Sequence, residues 1–155
     1  MGTEIERKFL LRDDSWKKAI SKSTVFKQGY LVGSEQASVR IRVEGEKANI
    51  NIKSATLDVT RHEYEYLIPL KDAEELLETL CDKPFIKKIR HIVNHAGHKW
   101  EIDVFEGENE GLIVAEIELT SENEDFEKPA WLGEEVSDDP RYYNVCLVKH
   151  PYRNW

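Results

Sequence analysis

The sequence predicts an α+β fold that is mainly β, in which eight antiparallel strands form a closed barrel, or tunnel, with a charged interior and short helices packed outside. Three observations support this prediction. Apolar and charged residues alternate with a period of two in eight segments, which is typical of strands. Short turn sequences, such as residues 44–46 and 95–98, suit antiparallel hairpins. Helical periodicity is confined to a few short stretches.

The individual elements follow in chain order. The predicted strands cover residues 3–12, 25–32, 37–44, 48–54, 60–68, 86–95, 99–106 and 112–120. A helix is predicted from residue 13 to 20, where aspartates precede Trp16 and can cap its first turn. A second is predicted over residues 72–81, where leucines recur at helical spacing, and short helical patterns also cover 121–128 and 142–149.

Length and composition limit the class of protein. The 155 residues show no repeat, low-complexity tract or linker, so we expect one domain over residues 1–155. The formal net charge of −8 argues against a nucleic acid polymer or a membrane as partner, although it allows a basic pocket for one anion. Two cysteines are too few for a disulfide scaffold, and we find neither a signal peptide nor a membrane-spanning run. We therefore expect a soluble cytoplasmic protein.

Charged residues occupy one face of each predicted strand. A solvated sheet face is the simplest interpretation of any single charged pair. Here, however, acidic pairs lie on some strands and basic pairs on others, whereas ordinary surfaces mix the two signs. Because the arrangement recurs on nearly every strand, it favours a charged interior. The basic positions are Lys8, Arg40, Arg42, Lys53, Lys88 and Arg90, and the acidic positions are Glu4, Glu6, Glu63, Glu65, Glu101, Asp103, Glu116 and Glu118.

Such an interior needs compensation, because burying an unpaired ion costs several kcal/mol. A polyanion held by lysine and arginine, together with divalent cations held by carboxylates, would neutralise both kinds of charge. Residues i and i+2 of a strand lie about 6.7 Å apart on one face, so two carboxylates there can serve one metal or a pair of metals. Oxygen ligands select hard cations such as Mg²⁺ or Mn²⁺, and the arginine fork matches phosphate. The pattern therefore predicts a phosphate-transfer site.

The residues also resemble a known family. Residues 4–8 match the E-x-E-x-K signature of CYTH-domain proteins, the triphosphate tunnel metalloenzymes. The resemblance continues in order through residues 28–31, 39–42, 52–53, 63–65, 88–90, 102–105 and 115–118, and the tail at 131–136 and 141–144 is similar to that of bacterial members. It implies an eight-stranded tunnel that binds a triphosphate with two divalent cations, Mg²⁺ or Mn²⁺. Ile89 and His91 replace a threonine and a tyrosine found in many relatives, without removing a charge.

The resemblance assigns roles to most of the charged positions. Lys8 would be catalytic, as a general base, or would act as a phosphate clamp. The resemblance implies that Lys8, Arg40, Arg42, Lys53, Lys88 and Arg90 bind the triphosphate, and that Glu4, Glu6, Glu63, Glu65, Asp103, Glu116 and Glu118 hold the metals. Glu101 has no clear counterpart in the family.

The expected activity is metal-dependent hydrolysis of inorganic tripolyphosphate to pyrophosphate and phosphate, as in the bacterial inorganic tripolyphosphatases that the chain resembles. The short chain has no evident insertion to hold a base or a thiazole ring, which favours this substrate. Adenylate cyclase, thiamine triphosphatase and nucleoside triphosphatase activities would use the same charged groups. A non-catalytic module that binds polyphosphate or a nucleotide is the alternative of another class, and a sheet with a solvated charged face is a third. The sequence leaves a homodimer open.

Overall fold

The computed structural model describes residues 2–55 and 59–155. Its ten strands are β1 (Glu4–Leu11), β2 (Ile20–Gly33), β3 (Ala37–Glu44), β4 (Lys47–Ser54), β5 (Thr60–Arg61), β6 (Glu63–Ile68), β7 (Ile86–His95), β8 (His98–Phe105), β9 (Ile113–Glu118) and β10 (Leu132–Glu135). The two α-helices are α1 (Leu70–Thr79) and α2 (Asn144–Lys149). None of the described helices is long and apolar enough to cross a membrane.

The strands form one antiparallel sheet in the order β10-β1-β9-β8-β7-β2-β3-β4-β6, which confirms the mainly β antiparallel prediction. The prediction of an eight-stranded closed barrel was wrong. The described residues form ten strands, and β6 shares no ladder with β1 that would close the sheet. Instead, the two-residue strand β5 pairs with β1, and His62 separates β5 from β6, which pairs with β4. The chain thus changes partner at this corner, so the pairing is too short to form a closing ladder.

Element boundaries differ from the predictions at a few places. β2 begins five residues before the predicted strand, because Ile20 and the residues after it pair with β7. The predicted strand at 60–68 is divided at His62. The predicted helix at 13–20 is a 3-10 helix over Ser15–Ala19, and the predicted helix at 121–128 is absent. β10, a four-residue strand, has too little alternation to be recognised from the sequence.

The apolar face of the strands points away from the charged side chains. On β8 and β9, Ile102 and Ile117 are fully buried under Trp16 and Trp131. Elsewhere on this face, α1 packs Leu77 and Ala73 against the apolar residues of β3 and β4. Each leucine or isoleucine side chain of this kind contributes roughly 1.5–3 kcal/mol when it is fully buried. This outer packing fixes which way the sheet faces and leaves the charged residues on its other side.

The charged side of the sheet has an apolar end that α2 covers. Leu147 of α2 packs in one cluster with Ile86 and Val114. Because strand side chains alternate, Ile86 shares a face with Lys88, and Val114 shares a face with Glu116. α1 therefore packs outside as predicted, whereas α2 closes one end of the inner side. The prediction of helices only on the outside is wrong for α2, whose apolar residues bury the apolar ends of the inward-facing strands.

Candidate active site

A cavity of about 250 Å³ lies against the charged side of the sheet. Eight carboxylates and seven cations line it, so its formal net charge is −1. The carboxylates are Glu4, Glu6, Glu44, Glu63, Glu65, Glu101, Glu116 and Glu118, and the cations are Lys8, Arg40, Arg42, Lys53, Arg61, Lys88 and Arg90. All six of the predicted phosphate-binding residues line the cavity, and so do the predicted metal ligands other than Asp103. Their roles toward phosphate and metal stay predictions.

Asp103 lies behind the cavity and holds two of its cations. Its carboxylate accepts hydrogen bonds from Arg90 Nε at 2.8 Å and Arg90 Nη2 at 2.9 Å, and it lies 2.7 Å from Lys88 Nζ. Burial opposes ionisation of this carboxyl, but the neighbouring Arg90 and Lys88 outweigh it and lower the pKa of Asp103 to about 2. Asp103 is therefore placed as a counter-ion. We call Lys88, Arg90 and Asp103 the paired cluster.

Lys88 is the least solvated cation of the cavity, with an exposed fraction of 1%. Burial, supported by the nearby Arg90 and Arg42, lowers the pKa of Lys88 to about 7, although Asp103 and Glu116 favour its ammonium form. Its ammonium also donates a hydrogen bond to Asn144 Oδ1 at 3.1 Å. Asp103 of β8 and Asn144 of α2 thus fix the position of this ammonium group.

Two arginines of β3 have no such counter-ion. Arg40 Nη2 donates to Asn51 Oδ1 at 3.1 Å, and Arg42 Nε donates to Gln28 Oε1 at 3.1 Å. Among residues 2–55 and 59–155, neither guanidinium forms an ion pair with a carboxylate, and Arg40 Nε is buried without a hydrogen-bond partner. Burial together with the charges of Arg40 and Arg90 lowers the pKa of Arg42 to about 10. These unpaired arginines are equipped to bind an anion.

Lys8 is surrounded by carboxylates rather than by cations. Its Nζ lies 2.8 Å from Glu116 Oε1 and 3.7 Å from Glu6 Oε1. Burial disfavours the ammonium, but Glu116 and Glu6 outweigh it and raise the pKa of Lys8 above its ordinary value. A general base needs the opposite shift. In this arrangement Lys8 is therefore a charged hydrogen-bond donor.

Three carboxylates form the best candidate metal centre in the described part of the chain. One oxygen each from Glu6, Glu101 and Glu116 can be chosen so that all three lie within 4.8 Å of one another. Burial, together with the charges of Glu116 and Glu4, raises the pKa of Glu6 well above its usual range. A cation would relieve this repulsion, and a set of oxygen ligands fits Mg²⁺ or Mn²⁺.

A separate ion-pair group involves Glu4 of β1. Lys53 Nζ lies 3.2 Å from both Glu4 Oε2 and Glu63 Oε2, and Arg61 Nη2 lies 3.3 Å from Glu4 Oε1. Burial disfavours the charge on Glu4, but Lys53 and Arg61 outweigh it and lower the pKa of Glu4 to about 2. Glu4 is thus already neutralised by cations, whereas Glu65 and Glu118 lie at the more exposed part of the cavity wall.

Sequence reasoning gave no role to several residues that line the cavity, among them Glu44, Arg61, Glu101 and Asn144. Arg61 was left unassigned although it precedes Glu63 by two residues, so that strand alternation already placed the two on one face. Glu101 was recognised on the charged face without a role. Asn144 is the first residue of α2, and no periodic pattern in the sequence indicates that its side chain reaches the cavity.

An antiparallel sheet whose inner face carries arginines without counter-ions beside a cluster of carboxylates has the chemical groups that phosphate ligands and divalent cations require. The family model of the CYTH domain matches residues 2–143, and the chain belongs to the CYTH-domain family. This agrees with the motif order read from the sequence.

Similar proteins support the same grouping. The chain is 48% identical to an inorganic triphosphatase of Acetivibrio thermocellus, over 100% of this chain and 99% of that protein. It is 33% identical to an inorganic triphosphatase of Nitrosomonas europaea, over 94% of this chain and 97% of the other. A crystal structure of an inorganic triphosphatase superposes with a TM-score of 0.67 at 32% identity, and the match covers 96% of this chain and 95% of that one.

Proposed function

We propose that this protein is a cytoplasmic, divalent-metal-dependent triphosphatase that hydrolyses inorganic tripolyphosphate to pyrophosphate and phosphate. The observation that carries the proposal is the pair of unpaired arginines, Arg40 and Arg42, which face the same cavity as the carboxylates Glu6, Glu101 and Glu116. Buried cations without counter-ions are unfavourable unless a ligand compensates them. Relatives that match the whole chain and are named inorganic triphosphatases support the choice of ligand.

The charge of the cavity supports a metal requirement. A lining with a formal net charge of −1 cannot take up a multiply charged anion without a large excess of negative charge. Divalent cations bound with the substrate restore the balance. We propose that Glu6, Glu101 and Glu116 hold one Mg²⁺ or Mn²⁺ ion, and that Glu63, Glu65 and Glu118 are available for a second. When bound, the ions neutralise phosphate charge and supply an activated water.

The side chains of the protein would position the substrate for in-line attack by water. Arg40 and Arg42 would bind phosphate oxygens with their planar guanidinium groups, and Lys88 and Arg90 would do so while Asp103 holds them in place. Lys53 and Lys8 complete the predicted set. Positioning and electrostatic stabilisation dominate phosphoryl transfer, and both are available from this preorganised group of charges.

The size of the cavity favours inorganic tripolyphosphate among triphosphate substrates. Its volume of about 250 Å³ falls below the ~300–1,000 Å³ typical of pockets that enclose drug-sized ligands. Its lining is dominated by charged residues, with few apolar groups for a base or a thiazole ring. We therefore rank adenylate cyclase, thiamine triphosphatase and nucleoside triphosphatase activities below tripolyphosphatase activity.

Phosphate release from tripolyphosphate, ATP and thiamine triphosphate tests the proposal when it is measured with Mg²⁺, with Mn²⁺ and with EDTA. We expect turnover of tripolyphosphate with the highest kcat/KM and none in EDTA. Tight binding without turnover would show a non-catalytic binding module. A melting temperature that does not respond to tripolyphosphate with Mg²⁺ would instead indicate a structural protein.

Replacing Lys8 tests whether this residue is a base or a clamp. Because Glu116 and Glu6 keep Lys8 protonated, we expect Lys8→Met to raise KM for tripolyphosphate about tenfold or more, with a smaller fall in kcat. Steady-state kinetics at saturating Mg²⁺ measure both constants. A fall confined to kcat, with loss of the acid limb of the pH profile, would establish Lys8 as a general base.

A further inference from the structure

α2 closes one end of the cavity and places its first residue, Asn144, among the charged side chains. We propose that Asn144 is a substrate-binding residue, whose side-chain amide nitrogen Nδ2 donates a hydrogen bond to a phosphate oxygen of the substrate. This inference rests on the proposed triphosphatase function and adds a neutral donor from outside the sheet. Asn144 lines the cavity and has an exposed fraction of 9%.

The orientation of this amide is fixed by a chain of hydrogen bonds that begins at Arg42. A guanidinium can only donate, so Arg42 Nε at 3.1 Å requires Gln28 to present its carbonyl oxygen Oε1. Gln28 must then direct its amide nitrogen Nε2 at Asn144, where the distance to Oδ1 is 2.9 Å. The carbonyl oxygen of Asn144 is thereby identified, and its amide nitrogen must be on the other side of the group.

A second donor supports the same orientation. The ammonium of Lys88 donates to Asn144 Oδ1 at 3.1 Å. Gln28 is completely buried and Lys88 is 1% exposed, so this arrangement is held by the interior rather than by solvent. Asn144 Oδ1 therefore accepts two hydrogen bonds, and rotation of the amide by 180° would bring its NH₂ group against two donors.

The remaining atom of the group, Nδ2, is available to a ligand. It has no hydrogen-bond acceptor among residues 2–55 and 59–155, although its residue lies on the cavity wall. Among the described residues, Nδ2 is not one of the enclosed atoms that lack a hydrogen-bond partner, so it is open to the cavity, and a phosphate oxygen there is a strong acceptor. Because Arg42 and Lys88 hold the other end of the same network, the donor lies next to two cations that attract the same anion.

An isosteric substitution separates binding of substrate from support of the network. Asn144→Asp keeps an oxygen that accepts from Lys88 and Gln28, but it replaces the donor with an anionic oxygen that faces the substrate. We expect KM for tripolyphosphate to rise about a hundredfold, with kcat changed much less and the melting temperature of the ligand-free protein not lowered. A purely structural role predicts an unchanged KM.

Two further variants exclude a general effect of charge. Asn144→Leu removes the donor without adding charge, and we expect KM to rise about tenfold. Asn109→Asp is the matched control. Asn109 is 2% exposed and its Oδ1 accepts a hydrogen bond from the backbone N–H of Tyr152 at 2.8 Å, but among the described residues it does not line the cavity and forms a hydrogen bond with none of the proposed phosphate ligands. We expect its KM to stay within about threefold of the wild-type value.

The outcomes distinguish this inference from the proposed function. If the wild-type protein neither binds nor hydrolyses tripolyphosphate, the proposed function fails and the role of Asn144 fails with it. If the wild type is active and Asn144→Asp keeps its KM within twofold, only the role of Asn144 is overturned. An equal rise in KM for Asn109→Asp and Asn144→Asp would also overturn it, because the effect would then be a general one of added negative charge.

Discussion

The cations of β7 and those of β3 face the same cavity but are compensated in opposite ways. In the paired cluster, Lys88 and Arg90 share the buried carboxylate of Asp103 at distances of 2.7–2.9 Å. Among the described residues, the unpaired arginines, Arg40 and Arg42, have only the neutral amides of Asn51 and Gln28 as side-chain hydrogen-bond partners, and Arg42 also lies 4.9 Å from the centre of the Phe26 ring. One side of the cavity is thus neutralised by the protein, and the other is left to be neutralised by a ligand.

We infer that this difference separates cations that are compensated within the free protein from cations that only a bound anion would compensate. A buried ion pair that is fully hydrogen-bonded is internally compensated. Removing one member leaves the other as an unpaired buried charge, which lowers the free energy of unfolding. A buried cation with neutral partners costs stability in the free protein and regains it when an anion binds. Arginine on a strand facing this cavity therefore costs the free protein little stability where a carboxylate compensates it, as in Arg90, and more where none does, as in Arg40 and Arg42.

Breaking the paired cluster should produce the largest effect. Arg90→Met leaves Asp103 with Lys88 alone and removes two hydrogen bonds from a fully buried carboxylate. We expect the free energy of unfolding to fall by about 3–5 kcal/mol, the usual consequence of removing one partner of a buried pair. Urea denaturation at neutral pH measures the change.

The control for this prediction is a surface pair of the same type. Arg141 and Asp139 form a salt bridge at 2.8 Å in which the arginine is more than half exposed. Arg141→Met should change stability little, because solvent screens such pairs. Equal losses in Arg90→Met and Arg141→Met would contradict the distinction between a buried cluster and an ordinary ion pair.

Removing an unpaired arginine should have the opposite effect on stability and a strong effect on activity. Arg42→Met removes a partly buried cation that has no carboxylate partner among the described residues and whose pKa is lowered to about 10, so the ligand-free protein should keep or slightly raise its melting temperature. We expect kcat/KM for tripolyphosphate to fall about a hundredfold, or roughly 2.7 kcal/mol of transition-state stabilisation. Thermal unfolding and phosphate release measure the two effects.

The matched control is Lys87→Met, which removes one positive charge from an exposed position on the other face of β7. Its kcat/KM should match that of the wild type. If Arg42→Met unfolds at a clearly lower temperature than Lys87→Met, Arg42 is a structural residue, and the unpaired arginines lose their assignment as anion ligands.

Strand alternation predicted most of the cavity but not the pairing inside it. The period of two places Arg40, Lys88 and Glu116 on inward faces, and the structure brings all three to one cavity. Alternation cannot show that Asp103 is enclosed by cations while Glu101, two residues earlier on the same face, reaches the cavity wall. That outcome depends on which residues of β7 and β8 are opposite each other, and this register is a property of the folded sheet.

The sequence also did not predict what residues outside the regular strands contribute to the sheet and to the cavity. The change of partner at His62 depends on a two-residue strand, which is too short to leave a periodic signal. Asn144 reaches the cavity because α2 packs its apolar residues against the apolar end of the inner face. A long-range packing contact of this kind brings together residues far apart in the chain, so local sequence patterns do not reveal it.

We expect the paired cluster also to cause part of the fall in the free energy of unfolding at low pH. The pKa of Asp103 in the folded protein is about 2, below the ~3.9 of an unfolded chain, so its contribution is present above about pH 4 and is lost as the pH falls through 2. We expect Asp103 to contribute about 2 kcal/mol to the fall in the free energy of unfolding between these values.

Urea denaturation at a series of pH values measures the slope. Asp103→Asn should flatten it, whereas Asp138→Asn, at an exposed position, should leave it nearly unchanged. An identical slope in the wild type and Asp103→Asn would mean that Asp103 is not ionised in the folded protein, and the paired cluster would then carry the same uncompensated charge as Arg40 and Arg42.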